Sequence, residues 1–250
     1  TVVESDTDIV PFDPGSYASS TTYVTGTAAK MAAEELREKI IHKLAQFMDV
    51  KPEDIDFDGL VGTTKDGTKK MSVQELAPKL LVGTTSEQLN GFATWGSHTS
   101  PPPFMASIAE VKVDKQTGQI IPLHMYNCVD CGTVVNPKLA RVQVEGGAVQ
   151  AIGMALYEDV RYSSNGRLET NNFMTYKIPT RQDIGELHTA FVESYEESGA
   201  YGVKSIGEIV INTACPAIQH AVKNAVGADI RTLPMTPEKV FMGMDAKYKV

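Results

Sequence analysis

The spacing of apolar residues divides the chain into helical and extended stretches. Between residues 27 and 47, Met31, Leu36, Ile40, Ile41, Leu44 and Phe47 recur at helical spacing with charged residues opposite, which predicts an amphipathic helix. Thr25-Gly26 is its natural entry. The preceding segment carries Pro11, Pro14 and Gly15 and then small hydroxyl residues from Ser16 to Thr22. Their side chains compete with helical hydrogen bonds and predict a loop. Residues 52–67 read as short strands and turns, with Asp58-Gly59 and Asp66-Gly67 as turn signals. Ser72-Val73-Gln74-Glu75 is a capping box that opens a short helix through Leu81.

Residues 107–113 alternate in polarity, turn at Thr117-Gly118 and resume at Ile120, the pattern of a β-hairpin. Asn136-Pro137 starts helical sequence that runs to about Tyr157, because Pro at the first helical position loses no hydrogen bond. Residues 160–192 read as strands and loops interrupted by Pro179, and Cys215-Pro216 opens a last helix that closes at Gly227. There is no internal repeat and no low-complexity linker. Helices and strands mix without regular βαβ alternation, so the expected class is α+β, with mixed sheets and packed helices. Residues 1–250 are expected to form one unit, or two intertwined α+β subdomains.

Composition narrows the function classes. At 250 residues, 42% hydrophobic and 22% charged, the chain can bury a substantial core. A formal net charge of −8 argues against a general nucleic-acid binder. No apolar run reaches the roughly 20 residues that span a bilayer, and the N-terminus has no secretory-signal pattern. The absence of an initiator Met leads to the expectation that the chain was processed or cut from something longer. Three cysteines, Cys128, Cys131 and Cys215, are too few for a disulfide framework and fit a reducing compartment, so a cytoplasmic location is expected.

Four stretches can carry chemistry. Gly15-Ser16-Tyr17-Ala18-Ser19-Ser20-Thr21-Thr22 lies just before a helix start, where small residues leave backbone N–H groups approachable by an anion. A polar surface loop is the simpler reading. Residues 143–153, if helical, place Gln143, Gly146 or Gly147, Gln150 and Gly153 on one face. Each interior Gly costs roughly 1 kcal/mol relative to Ala, so something must approach that face closely, either a neighbouring element or a planar polar cofactor. Gly199-Ala200-Tyr201-Gly202-Val203-Lys204-Ser205-Ile206-Gly207-Glu208 ends in a carboxylate followed by Ile209-Val210-Ile211. Partial desolvation there would raise its pKa and make it a better base, although a Glu in a loop is more commonly a solvated surface residue. Cys128-Val129-Asp130-Cys131 has C-x-x-C spacing, but no second pair or suitably spaced His completes a zinc site, and two unrelated thiols suffice to explain it.

In this order the stretches resemble the C-terminal part of the molybdopterin-binding subunit of the xanthine dehydrogenase/aldehyde oxidase family, over nearly the whole chain. The matching segments are Ser5-Asp6-Thr7, residues 11–19, residues 23–26, residues 110–114 with Thr117-Gly118, and Asp130-Cys131-Gly132 with Asn136-Pro137. The glutamine-glycine stretch 143–153, residues 202–208 and residues 233–240 complete the series.

The resemblance implies a molybdenum-dependent hydroxylase or dehydrogenase with Glu208 as the general base beside the metal and water as the source of the oxygen inserted into the substrate. Ala18, Ser19, Thr21, Gln143, Gly146, Gly147, Lys204 and Gly207 are the implied cofactor contacts, and no residue is expected to ligate the metal directly. The implied cofactor is molybdopterin with molybdenum, as the cytosine dinucleotide. [2Fe–2S] clusters and FAD belong on partner subunits, since three cysteines cannot hold two clusters that each need about four ligands. A second molybdenum-binding subunit, an iron–sulfur subunit and an FAD subunit are the expected partners. An aromatic N-heterocycle, purine or nicotinate-like, is the expected substrate. An aldehyde substrate, or a non-catalytic structural subunit, is the alternative. The family's molybdenum subunits are several times longer than this chain.

Overall fold

A computed structural model describes residues 2, 6–10, 12–82 and 86–248; Ser5 and Pro11 of the N-terminal motif lie outside the described residues. The chain divides into two compact units, Thr1–Asp13 with Val24–His98 and Pro14–Tyr23 with Thr99–Val250.

Helix α1 (Thr21–Met48), which belongs to the first unit from Val24 onward, is followed there by strands β1 (Ile55–Phe57), β2 (Val61–Thr64) and β3 (Lys70–Ser72), an antiparallel sheet in that order. Helix α2 (Val73–Leu80) then starts at the expected capping box, with Ser72 and Glu75 bonding each other's backbone. Leu44, Ala45, Met48, Ile55, Phe57 and Leu76 form the core, with Ile40 and Ile41 packed against it; of the other apolar residues at helical spacing in α1, Met31 and Phe47 are exposed. Both Asp-Gly turns occur as expected, with Gly59 and Gly67 at positive φ.

Helix α1 begins at Thr21, well before the expected entry at Thr25-Gly26, and Gly26 lies inside it. Of the hydroxyl residues that suggested a loop, Ser16, Ser19 and Ser20 do lie in it, and Thr21 and Thr22 occupy the first helical turn. There the N–H groups have no intrahelical acceptor, so Ser and Thr side chains help rather than compete. Ser16 Oγ and Thr21 Oγ1 share a hydrogen bond of 2.8 Å at this end.

The second unit is built on a sheet of order β4-β5-β6. Strands β4 (Phe104–Val113) and β5 (Ile120–Asp130) form the expected hairpin, longer than the sequence indicated and bulged between Glu110 and Val111. Strand β6 (Glu186–Phe191) adds parallel to β5, which makes the sheet mixed. Helices α3 (Pro137–Leu156) and α5 (Ala214–Val226) cover one face, where Met125, Ala148, Ile152, Ile218 and Val222 are buried together. The other face carries exposed apolar side chains, among them Phe104, Ile108 and Tyr126. Helix α3 starts at Pro137 with Asn136 accepting the Leu139 N–H, as read from the sequence.

Two expectations need correction. Residues 160–192 hold only β6 and one isolated bridge, Tyr162 with Leu168; the remainder is turns and irregular chain. Helix α5 ends at Gly227 as expected, but it is not the last helix, because α6 (Pro237–Gly243) follows. Thr236 caps α6 and Pro237 occupies its first turn, the same start signal that marked α3. The class is α+β, as expected.

Candidate functional site

Glu208 sits where the glycine-rich loop ends and the short helix α4 (Ile209–Asn212) begins, and it meets the hydroxyl-rich loop there. The Glu208 backbone N–H donates to Ser19 Oγ at 2.5 Å, and the Ser19 hydroxyl donates to Glu208 Oε2 at 3.0 Å. One serine therefore fixes both the backbone and the carboxylate of Glu208, across 189 residues of sequence. Gly207 makes this approach possible: a Cβ there would lie 2.7 Å from Ser19 Oγ and 3.0 Å from its Cβ. Ala18 and Ser19 both take the left-handed conformation, at φ 47 and 58. Such backbone costs of order 1–3 kcal/mol per residue and persists only where the surroundings impose it, commonly at functional sites.

Desolvation of Glu208 by its apolar neighbours is not observed. The side chain is exposed, because Val210 turns inward to the core while Glu208 stays at the surface of the short helix.

The loop that carries Glu208 is anchored at Lys204. Its ammonium, 12% exposed, pairs at 2.9 Å with Asp130, 18% exposed, and its backbone N–H donates to the Cys131 carbonyl at 2.7 Å. Asp130 Oδ1 also accepts from Ser194 at 2.6 Å and from the Gly132 N–H at 3.0 Å. Burial opposes ionisation of Asp130, but these bonds outweigh it and hold the carboxyl below its usual range. Lys204, expected at the cofactor, has its charge committed to Asp130 and lies 5.6 Å over the Phe104 ring. Its place is that of a loop anchor. Asp130 and Ser194, which complete the anchor, were not singled out from the sequence; the Asp-x-Gly motif after a strand was the available signal.

The glycines of α3 divide by face. Gly147 is buried, and a Cβ there would collide with the Val210 side chain, 2.8 Å from its Cβ. The close neighbour inferred for that position is thus α4 of the same chain, which corrects its assignment to the cofactor face. Gly153 is likewise filled, by the Glu158 carboxylate and Pro179. Gly146 is exposed with nothing within 4 Å of a Cβ, and Gln143 and Gln150 are exposed at helical spacing beside it. Since Val210 rests on Gly147, α4, which begins directly after Glu208, packs against α3.

Cys128 is on β5, half-buried, whereas Cys131 lies past the strand end, buried with Val129, Val144 and Val210. Burial, and then the neighbouring Asp130 charge, push the Cys131 thiol pKa up, the opposite of a reactive thiolate.

The exposed groups fit a large polar cofactor. Glu208 offers carboxylate acceptors, with the Ser19 hydroxyl proton committed to Oε2. The first turn of α1, opening at Thr21, presents N–H groups without helical acceptors, and Gln143 presents an amide beside the open surface at Gly146.

The chain belongs to the molybdopterin cofactor-binding domain family, whose sequence profile matches residues 1–185, a span that stops short of Glu208. The chain is 35% identical over 240 residues to the xanthine dehydrogenase molybdenum-binding subunit of Escherichia coli O157:H7, covering 94% of this chain and 32% of that protein. It is 30% identical to the nicotine 6-hydroxylase large subunit of Paenarthrobacter nicotinovorans, covering 92% and 29%. Among solved structures, quinoline 2-oxidoreductase from Pseudomonas putida 86 superposes with a TM-score of 0.81 at 26% identity, over 91% of this chain and 30% of that one. The chain spans under a third of the length of each of these relatives.

Proposed function

We propose that this chain is the base-bearing, cofactor-holding portion of a molybdenum hydroxylase that oxidises an aromatic N-heterocycle, purine or nicotinate-like, with Glu208 as general base. The observation that carries this reading is the reciprocal pair between Ser19 and Glu208. Ser19 holds Oε2, so Oε1 is the oxygen that would accept the proton. Ser19 and Gly207 position the carboxylate, and the Asp130–Lys204 pair fixes the loop behind it.

Ala18, Ser19, Thr21, Gln143 and Gly146 are the residues that would hold molybdopterin, as its cytosine dinucleotide. That group, when bound, supplies the metal-generated nucleophile and the two-electron acceptor. The substrate class is taken from the relatives: a xanthine dehydrogenase subunit, a nicotine 6-hydroxylase subunit and a quinoline 2-oxidoreductase. The remainder of a molybdenum-binding subunit, an iron–sulfur subunit and an FAD subunit complete the proposed assembly. No helix among the described residues is long and apolar enough to cross a membrane.

The test is Glu208→Gln in the assembled enzyme. Molybdenum and pterin content should be unchanged while turnover falls about 10²–10⁴-fold, the range of general-base catalysis. Near-normal turnover in a cofactor-replete variant would overturn the assignment.

A further inference from the structure

On the uncovered face of the second sheet, three side chains that play no part in the site above converge. The parallel register of β5 and β6 sets Glu186 opposite His124 and His188 opposite Tyr126. His124 Nδ1 lies 3.2 Å from His188 Nε2 and 3.5 Å from Glu186 Oε2, and His188 Nε2 lies 3.8 Å from the same oxygen. The three donor atoms thus form a nearly equilateral triangle.

We propose that His124, Glu186 and His188 bind a divalent transition-metal ion, zinc by preference. Zinc bonds to nitrogen and carboxylate oxygen are about 2.0–2.2 Å long, so donors on a tetrahedron around it stand about 3.3–3.6 Å apart. The observed edges bracket that spacing. An octahedral ion of the same bond length would bring adjacent donors to about 3.0 Å, and magnesium or calcium would call for oxygen ligands instead of imidazoles. A hydrogen bond between the two imidazoles accounts for one edge of the triangle. It does not account for one carboxylate oxygen facing both ring nitrogens.

The backbone and the neighbouring rings pre-arrange the ligands. Tyr126 stacks on His188 at 4.5 Å between centroids with 11° between planes, and more loosely on His124 at 5.9 Å, which restrains the imidazole planes. Side-chain exposures of 33%, 66% and 43% for His124, Glu186 and His188 leave room for a fourth ligand from solvent. Glu110, the register partner of His124 on β4, adds a second carboxylate on the same sheet face. An ion held here would tie β6, the edge strand, to the central strand β5. The inference is independent of the molybdenum reading, because none of these residues belongs to the Ser19–Glu208 site.

The experiment is metal binding to the full chain after chelator treatment, by zinc titration calorimetry and by the visible spectrum of cobalt(II) as a probe. One ion per chain and a tetrahedral cobalt spectrum are expected. His188→Gln and Glu186→Gln should each weaken zinc binding at least about tenfold, and the His124→Gln/His188→Gln double variant should abolish it, with circular dichroism unchanged. Cys128→Ser is the control for adventitious thiol binding and should leave the affinity as it was. The proposal is overturned by any of three results: a six-coordinate cobalt spectrum, variants that bind as tightly as the parent, or binding that disappears with Cys128.

Discussion

Gly146 and Gly147 are adjacent, share one helix and differ in what stands over them, so replacing each with Ala separates helix propensity from packing. In both cases Ala should favour the helical backbone by about 0.5–1 kcal/mol. At Gly146 a Cβ meets nothing within 4 Å, so that gain should appear whole as increased stability. At Gly147 the Cβ runs into Val210, whose own backbone carbonyl carbon is only 3.2 Å away, and Val210 is fully buried. Overpacking of this kind costs about 1–3 kcal/mol, so Gly147→Ala should be neutral to destabilising by up to about 2 kcal/mol. The strain can be relieved only by moving α4, which starts at Glu208, so turnover should fall as well. Urea unfolding of the parent, both single variants and Gly147→Ala/Val210→Ala measures this. The double variant should show a coupling energy of the sign that marks relief, since removing the Val210 methyls makes room for the new one. Equal stabilisation by both single substitutions would refute the argument, because it would mean that the Val210 contact does not constrain the helix pair. Gly146→Ala should in turn lower cofactor loading in the assembled enzyme while raising stability, a combination that a purely structural glycine would not give.

Two further outcomes follow from the loop and its anchor. Ser19→Ala removes one hydrogen bond to a charged oxygen and one to a backbone N–H; the former alone is worth about 1.5–3 kcal/mol, so turnover should drop roughly 10–100-fold with cofactor content retained. An unchanged rate in a loaded enzyme would remove Ser19 from the positioning role. Asp130 has a folded pKa held below its unfolded value of about 3.9, so its contribution to stability is present above that pH and is lost as pH falls through the folded pKa. Asp130→Asn should therefore destabilise the protein at neutral pH, by about 1–3 kcal/mol, and flatten the fall in stability below about pH 4. Parallel acid unfolding curves for parent and variant would show that the pair does not contribute.

The sequence revealed most clearly those features that are written locally. The capping box at Ser72, the Asn136-Pro137 start of α3 and the two Asp-Gly turns each depend on a few adjacent residues, and each forms as read. Helix α1 was misplaced at its start because Ser and Thr favour both loops and first helical turns, and local sequence does not distinguish them. Gly147 was misread for a different reason. The cost of an interior glycine reports that something is close, but only the packing of Val210 says that it belongs to this chain. Glu208 was legible by resemblance, while its partnership with Ser19 depends on contact between segments 189 residues apart. The His124–Glu186–His188 triangle had no linear signal, since it arises from the parallel addition of β6 to β5 after a long irregular connection.

If Glu208 is the general base proposed above, it must be both positioned and shielded from water, and in this chain the two requirements come apart. Position is supplied internally: Ser19 fixes two atoms of Glu208, Gly207 permits the approach, and Lys204 with Asp130 holds the loop. Shielding is not, because the Glu208 side chain is exposed and its apolar neighbour Val210 is spent on packing against Gly147. The exposed stripe of α3 points the same way. Leu139, Val142 and Met154 lie on it together with Gln143, Gly146 and Gln150, so apolar surface that is unfavourable in water adjoins the amides assigned to the cofactor. Under the proposed function, the groups that cover this face must come from the cofactor and from polypeptide beyond the third or less of the relatives' length that this chain spans. Covering Glu208 would exclude water from the carboxylate, so the surroundings a general base works in are completed only on assembly. Position and shielding then have separate structural sources, which is why changes at Ser19 or Gly207 and changes at the covering surface should alter turnover by different routes. The former should lower turnover with cofactor content retained, and the latter should lower cofactor content as well.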